Sequence, residues 1–415
     1  MAGLGGRKKL AFVLAGGAAR GAYEVGVVQY VIEDVARALK RPIAPDILCG
    51  TSVGALNACG IAAFADEGPN SVRRMLDVWS SLDVRALVGP DVRGILAMGT
   101  RLLGRAATPT DVPSREGGLL DPTGLERLID AQIPFGRISE NLRRGHLDAL
   151  AVSTTHVSSG RTIVFVQPEA GGLPPWSLDP TIEPRAAMIR LEHALASAAI
   201  PILFRAVKIE GEFHCDGGLR QNVPLSPARR LGADSVLVIN PRYLSSGPLA
   251  EPTLAADDLF PGPLFLLGKT LNALLLDRID TDLSRVEAIN KILAAGERAY
   301  GPDFVDQING ELGFPAGSGR GLRPMQTLLV RASEDIGKHA AEYVRSSAFS
   351  HVDGVTGRLF RRLADRDAQS ESDLLSYVLF DGRFARRLID LGRSDARRRH
   401  DELVAFFERL LQVAP

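Results

Sequence analysis

Residues 44–65 read APDILCGTSVGALNACGIAAFA, and the five at the centre, GTSVG from Gly50 to Gly54, decide what kind of fold the chain makes. Upstream, the apolar run Ile47 to Cys49 follows two prolines, the punctuation of a short buried strand. Downstream, small and apolar residues continue long enough for a buried helix. Strand, Ser52, helix is the order a nucleophile elbow requires. Gly50 and Gly54 relieve the crowding of a sharp turn, and the helix N-terminus offers free N–H groups and a positive dipole end to a developing anion. Serine is equally at home as a helix N-cap, so on these residues alone nucleophile and cap stand level.

The chain of 415 residues is long enough for two structural units. Its hydrophobic content of 45% and charged content of 24% are those of an ordinary globular protein. Lys plus Arg and Asp plus Glu both number 49, so no basic excess argues for nucleic acid. Three scattered cysteines, Cys49, Cys59 and Cys215, make neither a disulfide framework nor a zinc site and suit a reducing compartment. The start, RKKLAFVLAGGAA, mimics a signal peptide. Its apolar run is short, however, and leads into a Gly-rich loop and a helix, so it reads as a first β-strand and no cleaved leader is expected. No run of 18 apolar residues occurs, so no transmembrane helix is expected.

From Leu10 to about Asn240, strand-like and helix-like segments alternate, the pattern of an α/β fold with a largely parallel sheet. Leu10–Leu14, Ile47–Cys49, Ala149–Thr155, Thr162–Gln167 and Ser235–Asn240 read as strands, and FRAVKIEGEFHCDGG as a hairpin turning at Glu210-Gly211. Residues 82–122, rich in Gly, Pro and Asp, read as irregular, and a surface loop is preferred there to a lid. Beyond Pro241 the composition turns helical. The apolar segment Pro263–Ile279 could serve as core, dimer face or lipid contact, and MQTLLVRAS offers one more strand. The tail from about Glu371 to Pro415 reads as two or three amphipathic helices whose arginines alternate with acids, a solvated face rather than a polybasic anchor.

Two further motifs carry chemistry. In LAGGAARGAYE, Gly16, Gly17 and Gly21 surround Arg20 between the first strand and a helix, so consecutive N–H groups can face an anion. No Lys-Ser/Thr follows and the glycine spacing misses G-x-G-x-x-G, so a nucleotide-phosphate loop does not fit. An oxyanion hole fits better. In HCDGGLRQNVPL, Asp216 precedes Gly217 and Gly218 at a strand end, which by itself would be a turn.

Taken together and in this order, Gly16-Gly17-Ala18-Ala19-Arg20-Gly21, Gly50-Thr51-Ser52-Val53-Gly54 and Asp216-Gly217-Gly218 resemble the patatin-like phospholipase family, over roughly residues 8 to 240. The resemblance implies a three-layer α/β/α sandwich with a mostly parallel central sheet. It implies an acyl hydrolase domain at 8–240 and a mainly helical extension at 241–415 packed on it. It implies a serine lipid acyl hydrolase with Ser52 as nucleophile, Asp216 as its base in a Ser–Asp dyad, and Gly16, Gly17, Ala18, Arg20 and Gly21 as the anion-binding loop. Gly50, Gly54, Gly217 and Gly218 shape the turns, and neither metal nor cofactor is called for. The chain departs from the family at Ala18, where a third glycine is usual; if that position needs positive φ, alanine strains it by about 1–2 kcal/mol.

The expected chemistry is attack of Ser52 on a phospholipid or lysophospholipid ester, with Asp216 taking the proton and water later cleaving the acyl-enzyme. The expected setting is the cytoplasm, with room for peripheral membrane contact and for a homo-oligomer. Two other readings compete. One is a weakly active or inactive lipid-binding scaffold, suggested by Ala18 and the long extension. The other is a general esterase or thioesterase with a His-containing triad, disfavoured because His339, His351 and His400, the histidines after Asp216, fall on no recognisable strand-end loop. His214, two residues before Asp216 on one face of the same strand, is the tempting false base.

Overall fold

The computed structural model describes residues 7–84, 89–90, 118, 120–169, 172–174, 176, 179–244, 279–314, 321–365 and 375–411. Most of the irregular region at 82–122, and the apolar segment 263–278, therefore lie outside the described residues.

Alternation along the first strand sets the layers. In β1 (Leu10–Leu14), Leu10, Phe12 and Leu14 point into one apolar cluster and Ala11 and Val13 into another. A strand with both faces buried belongs at the centre of a sheet covered by helices on both sides. β1 is hydrogen-bonded in parallel to β2 (Ile47–Thr51) on one side and β8 (Ser235–Asn240) on the other. The spatial order is β9-β8-β1-β2-β3-β4-β5, where β3 is Ala149–His156, β4 Thr162–Pro168, β5 Ile182–Ala186 and β9 Gln326–Arg331. The five strands from β9 to β3 are parallel. β4 then reverses against β3, and the hairpin β6 (Val207–Ile209) and β7 (Glu212–Asp216) joins β3 antiparallel through β7. The sheet is thus mostly parallel within a three-layer α/β/α arrangement.

The larger apolar layer holds α1 (Ala22–Tyr30), α2 (Val53–Ala63) and α3 (Asn70–Ser80). The chain beyond residue 240 completes both layers. β9 adds an edge strand to β8. Ile279 and Val286 of α4 (Ile279–Tyr300) close the second cluster. On the first side α5 (Gly382–Arg398) lies along α1. The two helices touch through glycines: a Cβ on Gly26 would strike the carbonyl of Ile389, and one on Gly392 the carbonyl of Tyr23. Tyr23 Oη also donates to Asp395 Oδ2 at 3.0 Å. The amphipathic tail forms α5 and α6 (His400–Leu411). Among the described residues, no helix is long and apolar enough to cross a membrane.

Candidate active site

β2 ends at Thr51 and α2 starts at Val53, so Ser52 is the whole turn between them. Its backbone sits at φ 55° and ψ −128°, a region non-glycine residues rarely enter. A strand can pass into a helix this tightly only if the chains nearly touch. A side chain on Gly50 would run into Gly54 and Ala55, and one on Gly54 into the carbonyl of Leu14 on β1. Ser52 occupies the N-cap position of α2, yet its side chain makes no capping bond. The hydroxyl instead donates to Asp216 Oδ2 at 2.6 Å.

Asp216 closes β7 and is fully buried. Its other oxygen, Oδ1, accepts from Gly218 N–H at 2.7 Å, so the Gly217-Gly218 turn holds the carboxylate in place. Gly217 lies against β3, where a Cβ would meet the carbonyl of Ser153. Burial pushes the Asp216 carboxyl up to about 7, against the pull of the bonds from Ser52 and Gly218. A carboxylate so raised is a far better proton acceptor near neutral pH than an ordinary one. His214 is also buried, on the same strand. Its Nδ1 pairs with Thr154 Oγ1 at 3.1 Å, away from Ser52, and burial pushes its imidazole down to about 4.

The glycine loop runs from the end of β1 over the elbow. Gly16 N–H donates to the backbone carbonyl of Asn222 at 3.1 Å, so Gly16 is a structural tie rather than an anion donor. Among the described residues no carbonyl accepts from the N–H of Gly17 or Ala18. These two, with the first N–H groups of α2, are the donors left for an anion. Ala18 has φ 48°, the left-handed region, so the alanine stands at a position suited to glycine. Gly21 packs against Val53, and its carbonyl accepts from Asn57 Nδ2 at 3.0 Å. Arg20 reaches to the segment at 376–377. Only 6% exposed, it donates from Nε to Ser376 Oγ at 2.8 Å and stacks over the Tyr377 ring, 4.1 Å from its centre.

Two supports escaped the sequence reading. Ser197 is fully buried; its hydroxyl accepts from the Ser52 N–H at 2.9 Å and donates to the carbonyl of Ser153 at 2.6 Å. It thereby fixes the backbone of the strained turn, though a serine in LASAAIP carries no sign of that duty. Beneath the loop, Asn57 Nδ2 donates to Glu24 Oε2 at 2.8 Å and Trp79 Nε1 donates to Asn57 Oδ1 at 2.9 Å. Burial raises the Glu24 carboxyl well above the usual range, against the pull of the bond from Asn57.

A buried serine hydroxyl and a buried carboxylate thus meet beside a glycine loop, Ser52 at the end of parallel β2 and Asp216 at the end of antiparallel β7. The model of the patatin-like phospholipase family matches residues 12–229, more than half of the chain, and the chain belongs to that family. It is 28% identical over 216 residues to the cGAMP-activated phospholipase of Pseudomonas aeruginosa (strain BWHPSA011 / Pa011), covering 51% of this chain and 53% of the relative. The chain thus spans about half the length of that relative. Among solved structures, VipD from Legionella pneumophila matches at 12% identity over 91% of each chain, with a TM-score of 0.27. The ExoU–SpcU heterodimer from the type III secretion system of Pseudomonas aeruginosa matches at 13% identity over 97% of this chain and 78% of that one, with a TM-score of 0.28.

Proposed function

We propose that the protein is a serine lipid acyl hydrolase of the phospholipase A or lysophospholipase type. The observation that carries this reading is the 2.6 Å hydrogen bond from Ser52 Oγ to Asp216 Oδ2 at a strained elbow. Ser52 Oγ attacks the ester carbonyl while its proton passes to Asp216. The carbonyl electron pair moves onto oxygen, facing the N–H groups of Gly17 and Ala18. Collapse expels the alcohol, protonated by Asp216, and leaves an acyl-enzyme. Water then attacks with Asp216 as base, and the fatty acid leaves as Ser52 regains its proton. Phospholipid is the substrate class by analogy with the relative named as a phospholipase.

In this reading residues 8–240 carry the hydrolase and residues 241–415 brace it. The protein works in the cytoplasm and meets its substrate at a membrane surface by peripheral contact. Labelling with a fluorophosphonate probe, followed by phospholipid, lysophospholipid and triacylglycerol substrates, tests it. Ser52 should be the labelled residue and Ser52→Ala should abolish labelling and hydrolysis alike. An unlabelled, inactive wild type would favour the scaffold instead, a reading to which strained Ala18 lends some support.

A further inference from the structure

Asn222 follows the Asp216-Gly217-Gly218 turn and belongs to no helix or strand. Its backbone carbonyl ties down Gly16, and its side chain folds over the same residue. A Cβ built on Gly16 would collide with Asn222 Oδ1 and would lie 3.2 Å from the Cβ of Ser52. The carboxamide, Gly16 and the Ser52 side chain therefore meet at one point, where the anion loop crosses the elbow.

Asn222 is 7% exposed, and its Oδ1 is buried with no hydrogen-bond partner among the described residues. Its neighbours are paired: Ser52 N–H with Ser197, Ser52 Oγ with Asp216, and Asp216 Oδ1 with Gly218. A buried polar group left unpaired carries a desolvation cost that an apolar side chain of similar size would avoid. The backbone carbonyl of any residue could hold Gly16, so that bond does not explain the amide. What the amide can meet at this point is a molecule bound over Ser52.

We propose that Asn222 is a catalytic residue whose carboxamide hydrogen-bonds the ester under attack, a role that rests on Ser52 being the nucleophile. A half-turn about the last side-chain torsion exchanges oxygen for nitrogen, and no protein partner holds Oδ1 in its present orientation. Nδ2 then donates to the ester oxygen beside the N–H groups of Gly17 and Ala18. As the bond from Ser52 Oγ to the carbonyl carbon forms, the C=O pair moves onto that oxygen and the serine proton goes to Asp216. Asn222 transfers no proton; it stabilises the charge that appears. The N–H groups of Gly16 and Ser52 are already committed to protein acceptors, so a side-chain donor adds to a short set.

The test compares wild type with Asn222→Ala, Asn222→Leu and Ser52→Ala, using a p-nitrophenyl ester, a lysophospholipid and the rate of fluorophosphonate labelling. Asn222→Ala should lower kcat and the labelling rate by about 10²–10³-fold, the usual effect of one lost anion donor, with KM within about threefold. Asn222→Leu fills the space without an unpaired polar atom. It should melt at or above the wild-type temperature and still be as slow as Asn222→Ala. Either folded variant within about threefold of wild type in kcat and labelling overturns the proposal. Hydrolysis that persists in Ser52→Ala overturns the nucleophile assignment as well, so the two failures are distinguishable.

Discussion

The guanidinium of Arg20, in the glycine loop, stacks on the ring of Tyr377, near the far end of the chain, 4.1 Å from its centre, and hydrogen-bonds the adjacent Ser376. A desolvated stack of this kind contributes about 2 kcal/mol. Its effect here is to hold the 3₁₀ turn Ala18–Gly21, and so the N–H groups of Gly17 and Ala18. Tyr377→Ala is therefore expected to lower kcat by about tenfold or more while KM moves little, and Tyr377→Phe, which keeps the ring, should restore most of the rate. Steady-state kinetics beside a thermal melt checks this. A loss of kcat in Tyr377→Phe equal to that in Tyr377→Ala would show that the ring is not what matters.

The raised Asp216 carboxyl sets a pH profile. In the proposed mechanism Asp216 must be ionised to take the Ser52 proton, so kcat/KM should rise through an apparent pKa near 7 and then level off. His214 would not supply such a limb, because burial pushes its imidazole down to about 4. His214→Ala should leave the limb in place, and Asp216→Asn should remove about 10²–10⁴-fold of the rate. A limb that shifts with His214→Ala would contradict the dyad.

The same group makes a stability prediction. Its folded value near 7 stands above its ordinary value of 3.8. The folded state thus holds the proton more tightly, an advantage complete below about pH 4 and lost as pH rises through 7. Asp216→Asn never ionises, so it should melt above wild type at pH 8, with a smaller difference at pH 4. Thermal melts at the two pH values decide; a lower melting temperature for the variant at pH 8 would count against a buried, desolvated carboxylate.

At Ala18, φ of 48° puts an L side chain where glycine is at ease. Ala18→Gly should raise stability by up to about 1 kcal/mol, the strain relieved less the entropy glycine brings. Ala18→Val should cost more than that amount, since a β-branched chain fits the region worse. Urea midpoints measure both. Destabilisation by glycine would show the strain to be absent.

Ser197→Ala removes the acceptor for the Ser52 N–H and leaves it buried and unpaired. The expected loss is about 1–3 kcal/mol of stability, together with a fall in kcat, because the turn carrying Ser52 loses its brace. Ser197→Thr, which keeps the hydroxyl, should recover part of both. Kinetics unchanged in Ser197→Ala would limit Ser197 to the fold.

What could be read in the sequence was local. Ser235–Asn240 is all apolar apart from its ends, and the hairpin turns where Glu210 and Gly211 both take positive φ. β5 was missed because IEPRA carries a proline and alternates poorly; an edge position excuses both, since Pro184 need donate to no further strand. The elbow was legible as strand, serine and helix. The partner of the Ser52 hydroxyl, Asp216, lies 164 residues away. The glycines beside Arg20 place it with the anion loop, and nothing in AARGA announces a partner 356 residues further on. Ser197 and Asn222 owe their positions to folding of distant strands, which no window of sequence contains.

The glycine contacts between α1 and α5 also tie two distant parts of the sequence into one folding unit. α1 follows the glycine loop directly, and the helix it lies against at Gly26 and Gly392 spans Gly382–Arg398. Until that segment docks, the side of α1 facing it has no cover and Arg20 has no ring to stack on. A fragment cut near residue 240 would carry Ser52 and Asp216 yet leave the loop beside them unbraced.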